Sequence, residues 1–218
     1  SGAVTNAGIL KATGDLSITA TSITNSGKIK AQNGELETTE ANILFGGNSE
    51  NTFTGKLVIT TATDFENNGI IIASEFEVNA TTDFENKGTI EVTSGNFSAN
   101  VKNNFINNSQ ITVTTGKLLV NPVINFTNVG NILAVGFEVN ATGVFTNDGT
   151  IDSTSGDVNI KSASFINGAE KEIFAKNMSI DSGAVTNAGI LTATGDLSIT
   201  ATSITNSGKI EAQNGELE

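Results

Sequence analysis

One frame of residues recurs along nearly the whole chain: an apolar residue, any residue, Asn, any residue, Gly. It reads Val4-Thr-Asn6-Ala-Gly8, Ile23-Thr-Asn25-Ser-Gly27, Phe65-Glu-Asn67-Asn-Gly69 and Phe84-Glu-Asn86-Lys-Gly88. It continues as Phe105-Ile-Asn107-Asn-Ser109, Phe126-Thr-Asn128-Val-Gly130, Phe145-Thr-Asn147-Asp-Gly149 and Phe165-Ile-Asn167, then Val185-Thr-Asn187-Ala-Gly189 and Ile204-Thr-Asn206-Ser-Gly208. The apolar anchors step by 19 to 21 residues, except for 42 between Ile23 and Phe65. That gap holds one degenerate coil around Ile43-Leu44-Phe45 and a loop insertion over 46–54. A fixed period near 20 is the signature of a solenoid, in which one unit cannot enclose a core and each buries its apolar face only against its neighbours.

Each unit carries two further strand-like patches. Six residues after most anchors stands an apolar position, as at Leu10, Ile29, Ile71, Ile90, Ile111, Ile132, Ile151, Leu191 and Ile210. Further on comes an alternating pair, such as Leu16/Ile18, Leu57/Ile59, Phe76/Val78, Leu118/Val120, Val158/Ile160 and Leu197/Ile199. Alternation with period two belongs to a strand, whose successive side chains point to opposite faces. No stretch sustains a 3.6-residue apolar period. Three short strands per unit, punctuated by Gly and Asn, predict an all-β fold: one parallel β-helix (β-solenoid) segment over 1–218, of ten to eleven three-faced coils.

Stacking places like residues over like, one strand spacing of about 4.8 Å apart. Phe65, Phe84, Phe105, Phe126, Phe145 and Phe165 are then expected to form an aromatic column inside the rod. Burial of each ring contributes on the order of 1.5–3 kcal/mol before entropy. Asn6, Asn25, Asn67, Asn86, Asn107, Asn128, Asn147, Asn167, Asn187 and Asn206 are expected to form a ladder of side-chain amides at one corner, as stacked Asn residues do in cross-β assemblies. The Gly of the frame supplies the positive φ such a corner would use. Asn79, Asn100, Asn121 and Asn140 suggest a second amide run.

Above the 20-residue period lies a longer one. Residues 1–37 return as 182–218, differing only where Lys11 becomes Thr192 and Lys30 becomes Glu211. Other coils share the pattern without the identity. The reading favoured here is a tandem repeat of 181 residues, nine coils long; an engineered duplication of the ends is the plainer alternative.

Eleven Lys against 23 acidic residues leave a formal charge of −12, with no Arg. Phosphate binding relies on clustered Lys and Arg, so nucleic acid is not an expected partner, nor is an anionic membrane surface. No run approaches the ~20 apolar residues of a membrane span, so no membrane insertion is expected. With no Cys the fold depends on packing alone. The first residues, Ser1-Gly-Ala-Val, lack a Met or a signal-like segment, which reads as an internal fragment.

No catalytic, cofactor or metal site is expected. His and Arg are absent, and Asp64, Glu66, Glu77, Asp83, Glu85 and Glu91 fall on outward positions, where solvated charge is the ordinary reading. Gly46-Gly47-Asn48 lacks the Asp of calcium-binding nonapeptides; Glu66 with Glu85 is at most a weak ion site. A flat Thr array of the ice-binding kind is broken, since Thr19/Thr21, Thr61/Thr63 and Thr112/Thr114 fall at different phases.

Units such as Gly14-Asp-Leu16-Ser-Ile18-Thr-Ala20, followed by Ile23-Thr-Asn25-Ser-Gly27-Lys-Ile29, resemble the shafts of the filamentous-haemagglutinin family, large exoproteins of two-partner secretion. The resemblance implies a right-handed helix and a structural shaft of a secreted or bacterial surface-displayed fibre or adhesin. Its expected partners are further copies of itself, end to end or side by side, and a surface receptor or glycan. A binding module, and more remotely an ice-binding solenoid or polysaccharide lyase, are the alternatives.

Overall fold

The computed structural model describes residues 2–218; Ser1, which opens the first duplicated segment, and the side chain of Pro122 lie outside what it describes. The chain winds into a parallel β-solenoid of about ten turns with a period near 20 residues. Every strand pairing among the described residues is parallel, and each strand of the interior coils pairs with its equivalents one coil before and one coil after. Because neighbouring turns are in register, the sequence period becomes a set of vertical columns.

Three faces make up each coil. The first carries the anchor and the Asn, with Phe65 beside Phe84 and Asn67 beside Asn86. The second carries the apolar residue that follows the corner, with Ile71 beside Ile90 and Ala73 beside Val92. The third carries the alternating pair, with Phe76 beside Phe97 and Val78 beside Ala99. Inward residues alternate with outward ones along each strand, as a pleated strand requires. The outer residues are Thr, Glu, Ser, Lys and Asn with scattered aliphatics, so the core is enclosed from three sides. No helix of the described residues is long and apolar enough to cross a membrane.

Residues 46–54 are not a loop leaving the shaft. Gly46–Ser49 form a tight corner closed by the Ser49 N–H on the Gly46 carbonyl, 2.9 Å, and Glu50–Phe53 is a regular second-face strand. That strand pairs with Lys28–Ala31 below and with Ile70–Ala73 above. The corner is merely longer than the one at Ser26–Gly27, so the chain takes more residues to reach the same place in the stack. A second long corner at Gly168–Lys171 does likewise, and there Glu170 holds a φ of 63°. It displaces the next apolar residue, Ile173, which stacks on Ile151 and Leu191.

The corner glycines also act otherwise than expected. No described glycine has a positive φ. What excludes a side chain is the coil below: a Cβ on Gly88 would stand 2.0 Å from the Gly69 carbonyl oxygen, and one on Gly27 would stand 2.1 Å from that of Gly8. Stacked corners approach backbone to backbone, and glycine is kept for clearance.

Candidate functional site

The most highly organised chemistry of the molecule is internal, at the corner between first and second faces. The Nδ2 of Asn67 donates to the Oδ1 of Asn86 at 2.8 Å, and Asn86 to Asn107 at 2.9 Å. Asn107 donates to Asn128 at 2.8 Å and Asn128 to Asn147 at 2.9 Å. Asn147, Asn167 and Asn187 continue to Asn206, each at 2.8 Å. The frame fixes the other hydrogen bonds of each amide. In the Asn67 coil, Oδ1 also accepts the N–H of Gly69 and Nδ2 also reaches the Gly69 carbonyl, both at 3.2 Å. A buried amide is stable only when its donors and acceptor are matched. No buried side-chain nitrogen or oxygen among the described residues lacks a partner.

One coil solves this differently. Asn6 donates to Asn25 at 2.7 Å, but Asn25 then donates to Asn51 at 2.8 Å. In that coil Phe45 occupies the column of the ladder amides, between Asn25 and Asn67. Asn51 occupies the column of the second-face aliphatics, between Ile29 and Ile71. Amide and apolar group have exchanged places across the corner. Asn51 passes its own donors to the Ser49 hydroxyl and the Ile70 carbonyl, both at 3.1 Å, and the run of amide bonds restarts at Asn67.

Beside the ladder runs the aromatic column. Phe65 and Phe84 lie 5.6 Å apart between centroids, and Phe84 and Phe105 4.7 Å, both pairs tilted. From Phe105 through Phe126 and Phe145 to Phe165 the rings stack nearly parallel at 5.2, 4.9 and 5.2 Å. Phe76 and Phe97 stack on the third face at 4.7 Å. Edge contacts such as Phe84 with Phe97, 5.8 Å and 77°, join the two columns into one core. Aromatic pairs in such geometries contribute about 0.5–1.5 kcal/mol beyond burial.

A second compensation sits below Phe53. On the third face Gly34 stands where Leu16 and Leu57 stand in the adjacent coils. Phe53 takes a second-face column that holds Ala31 below, and its ring covers the glycine: a Cβ on Gly34 would lie 2.3 Å from the ring's Cε1. Volume missing from one coil is supplied by the next. At the corner between third and first faces, small hydroxyls close the core: Thr38 with Thr61, and Ser162 with Ser182, each at 3.1 Å. Sequence reasoning passed over these hydroxyls because they are not apolar; their constant distance after the alternating pair was the available signal.

Several of the outward acidic residues are met by lysines. Lys87 bridges Glu66 at 3.0 Å and Glu85 at 2.9 Å, so that neighbouring pair is held by an ammonium. The hydrogen bond from Lys87, then that from Asn68, keeps the Glu66 carboxyl below its ordinary range; Glu85 and then Glu66 raise Lys87. Lys56 is shared between Glu77 at 2.6 Å and Glu75 at 3.1 Å, which lowers Glu77. Among the described residues no group of three or more His, Cys, Asp or Glu is placed to hold a metal ion.

Of the second amide run, Asn100 donates to Asn79 at 2.8 Å on the outer surface. The register then shifts between Val120 and Val123, and Asn140 lies beside Lys161. The outward third-face column around Thr19 reads Thr19, Glu37, Thr60, Asn79, Asn100, so threonines do not line up. Surface recesses are shallow. One groove of about 340 Å³ runs along Thr60, Asn79, Thr81, Asn100 and Lys102.

The haemagglutinin repeat, a protein family, matches residues 1–69 and 175–218, just over half of the chain. No curated protein and no solved structure gave a match to the chain. Both duplicated segments lie within the matched residues, and the phenylalanine-rich middle lies between them.

Proposed function

Because this chain belongs to the haemagglutinin repeat family, we propose that it is a shaft segment of a bacterial fibre or adhesin, secreted or displayed at the cell surface, whose task is length and stiffness. The observation that carries this reading is where the ordered chemistry lies. The best-matched polar groups form a ladder parallel to the axis and shut inside the rod. Enzymes and ligand-binding proteins aim convergent polar groups into a concave pocket instead. A buried ladder resists bending and shear, since each coil is held by sheet bonds on three faces and by an amide inside. The reading is of a support and not of a catalyst.

The 181-residue separation of the duplicated segments supports a tandem arrangement, in which each unit of nine coils extends the shaft by roughly 43 Å. Electron microscopy of the native material tests it. Thin fibres with an axial repeat of roughly 43 Å are expected; compact particles of uniform size would refute the array. A second reading, that the flank contacts a receptor or glycan, draws on the groove that places Thr60, Asn79 and Asn100 on successive coils, with Lys102 on the same coil as Asn100. Saturable binding on a glycan array, abolished by changing Asn79 and Asn100 to Ala, would favour it over a purely mechanical role.

A further inference from the structure

Both differences between the duplicated segments fall in one outward column of the second face. Lys11 lies beside Lys30, and in the later segment Thr192 lies beside Glu211. Like charges on adjacent strands repel, so two ammonium groups one strand spacing apart cost stability unless an anion lies between them. Neither Lys11 nor Lys30 forms an ion pair among the described residues. Glu50, the carboxylate that feels Lys30, is held by Lys28 at 2.8 Å, and Asp15 accepts the side-chain amide of Asn33 at 2.7 Å. The later segment has no such surplus, because Lys209 bridges Glu211 at 2.8 Å.

Beside the lysine pair, on the flank of the rod, a recess of about 370 Å³ spans three successive coils. Thr13 lines it from one coil, Lys30 and Gln32 from the next, Thr52 and Thr54 from the third. No hydrogen bond within the described chain engages the hydroxyls of Thr13, Thr52 and Thr54 or the side-chain amide of Gln32. Unpartnered hydroxyls and an amide therefore converge beside two uncompensated cations, in a chain whose formal charge is −12. Cations of this kind bind an oxyanion through charge-assisted hydrogen bonds, and a few convergent polar groups fix a ligand's orientation. We infer that this recess binds an acidic saccharide, with a uronate carboxylate between Lys11 and Lys30 and the ring hydroxyls on Thr13, Gln32, Thr52 and Thr54. The site is lateral, separate from the groove at Asn79 and Asn100, and holds whether or not the shaft reading does.

Titration of the whole chain with trigalacturonate, read by calorimetry and amide chemical shifts, tests the site. Saturable binding is expected, with shifts centred on Thr13, Lys30, Gln32 and Thr52, and it should weaken as salt is raised. Lys30→Gln should weaken it roughly three- to fivefold, the size of an exposed ion pair. Lys11→Thr with Lys30→Glu should abolish it. That protein carries the residues of the later segment, which forms the same second-face strands, so its coils are expected to fold. Thr52→Val keeps both charges and should weaken binding roughly two- to tenfold, the size of a hydrogen bond. Asn79→Ala with Asn100→Ala should leave it unchanged. Absence of saturable binding, full binding by the Lys11→Thr, Lys30→Glu protein, or equal binding of neutral maltotriose or of a sulfated glucan would overturn the assignment.

Discussion

Residues 1–37 and 182–218 are almost the same peptide in two places, and the solenoid treats them oppositely. In the first copy the second coil is interior: Ile23 is 2% exposed and Leu36 0%. Their equivalents in the last coil, Ile204 and Leu217, are 52% and 57% exposed. The first coils reverse this: Leu10 and Leu16 are half-buried at the rod's beginning, whereas Leu191 and Leu197 are wholly buried. Burial here belongs to a place in the stack and not to a residue.

Pairing differs too. In the first copy Leu16 lies beside Gly34, and its N–H bonds the Asn33 carbonyl. In the second, Leu197 lies beside Leu217, and its N–H bonds Glu216, a slip of two residues toward the chain end. The difference traces to what comes next. The coil after Gly34 brings the Phe53 ring to the glycine, while among the described residues no coil follows 204–218, and Leu217 sits against Leu197 in the glycine's stead. A two-residue slip keeps the inward face inward, which is why the same peptide tolerates both registers.

Several measurements would break or sharpen this contrast. The largest effect is expected for Phe53→Ala, which opens the space above Gly34 as well as losing a ring; a loss of about 3–5 kcal/mol in denaturant unfolding is expected, with faster amide exchange at Gly34–Thr38. No change in exchange there would show that Phe53 does not hold the interior register. Leu36→Ala should cost about 2–5 kcal/mol, and Leu217→Ala about 0.5 kcal/mol or less; equal losses would remove the argument from place. Asn25→Ala should cost about 1–3 kcal/mol, because the buried side-chain oxygen of Asn51 loses its donor, and Asn206→Ala less, because that residue is exposed. The smallest effect concerns Glu66, whose carboxyl is held low in the folded chain by Lys87. A depressed folded value means the contribution is present at neutral pH and is lost as pH falls from the ordinary value of about 4.3 through the folded one. Glu66→Gln should flatten a shallow part of the stability profile in that range; an unchanged profile would show that the bridge contributes nothing.

Much of the interior was legible before any coordinates. Phe84 and Phe105 could be assigned to one column because both open the same five-residue frame, and a parallel stack repeats its register. The two long corners were not legible in that way. At Gly46–Ser49 the frame dissolves, since Phe45 stands where Asn is due and Asn51 where Ile is due; the linear pattern shows two errors where the structure has one exchange. Past Gly168–Lys171 the next apolar residue, Ile173, is simply late. The corner glycines carried a second ambiguity, because positive φ and lack of room for a Cβ leave the same letter in the chain.

The linear pattern by itself determined the period, the strand character of each patch and the residues that share a column, since alternation and spacing are local properties that identical coils repeat. Only the tertiary structure decided how a longer corner returns to register, that Phe53 fills the place left by Gly34, and which of two nearly identical peptides is buried. Those outcomes depend on the neighbouring coil, whose contacts no residue carries within its own segment.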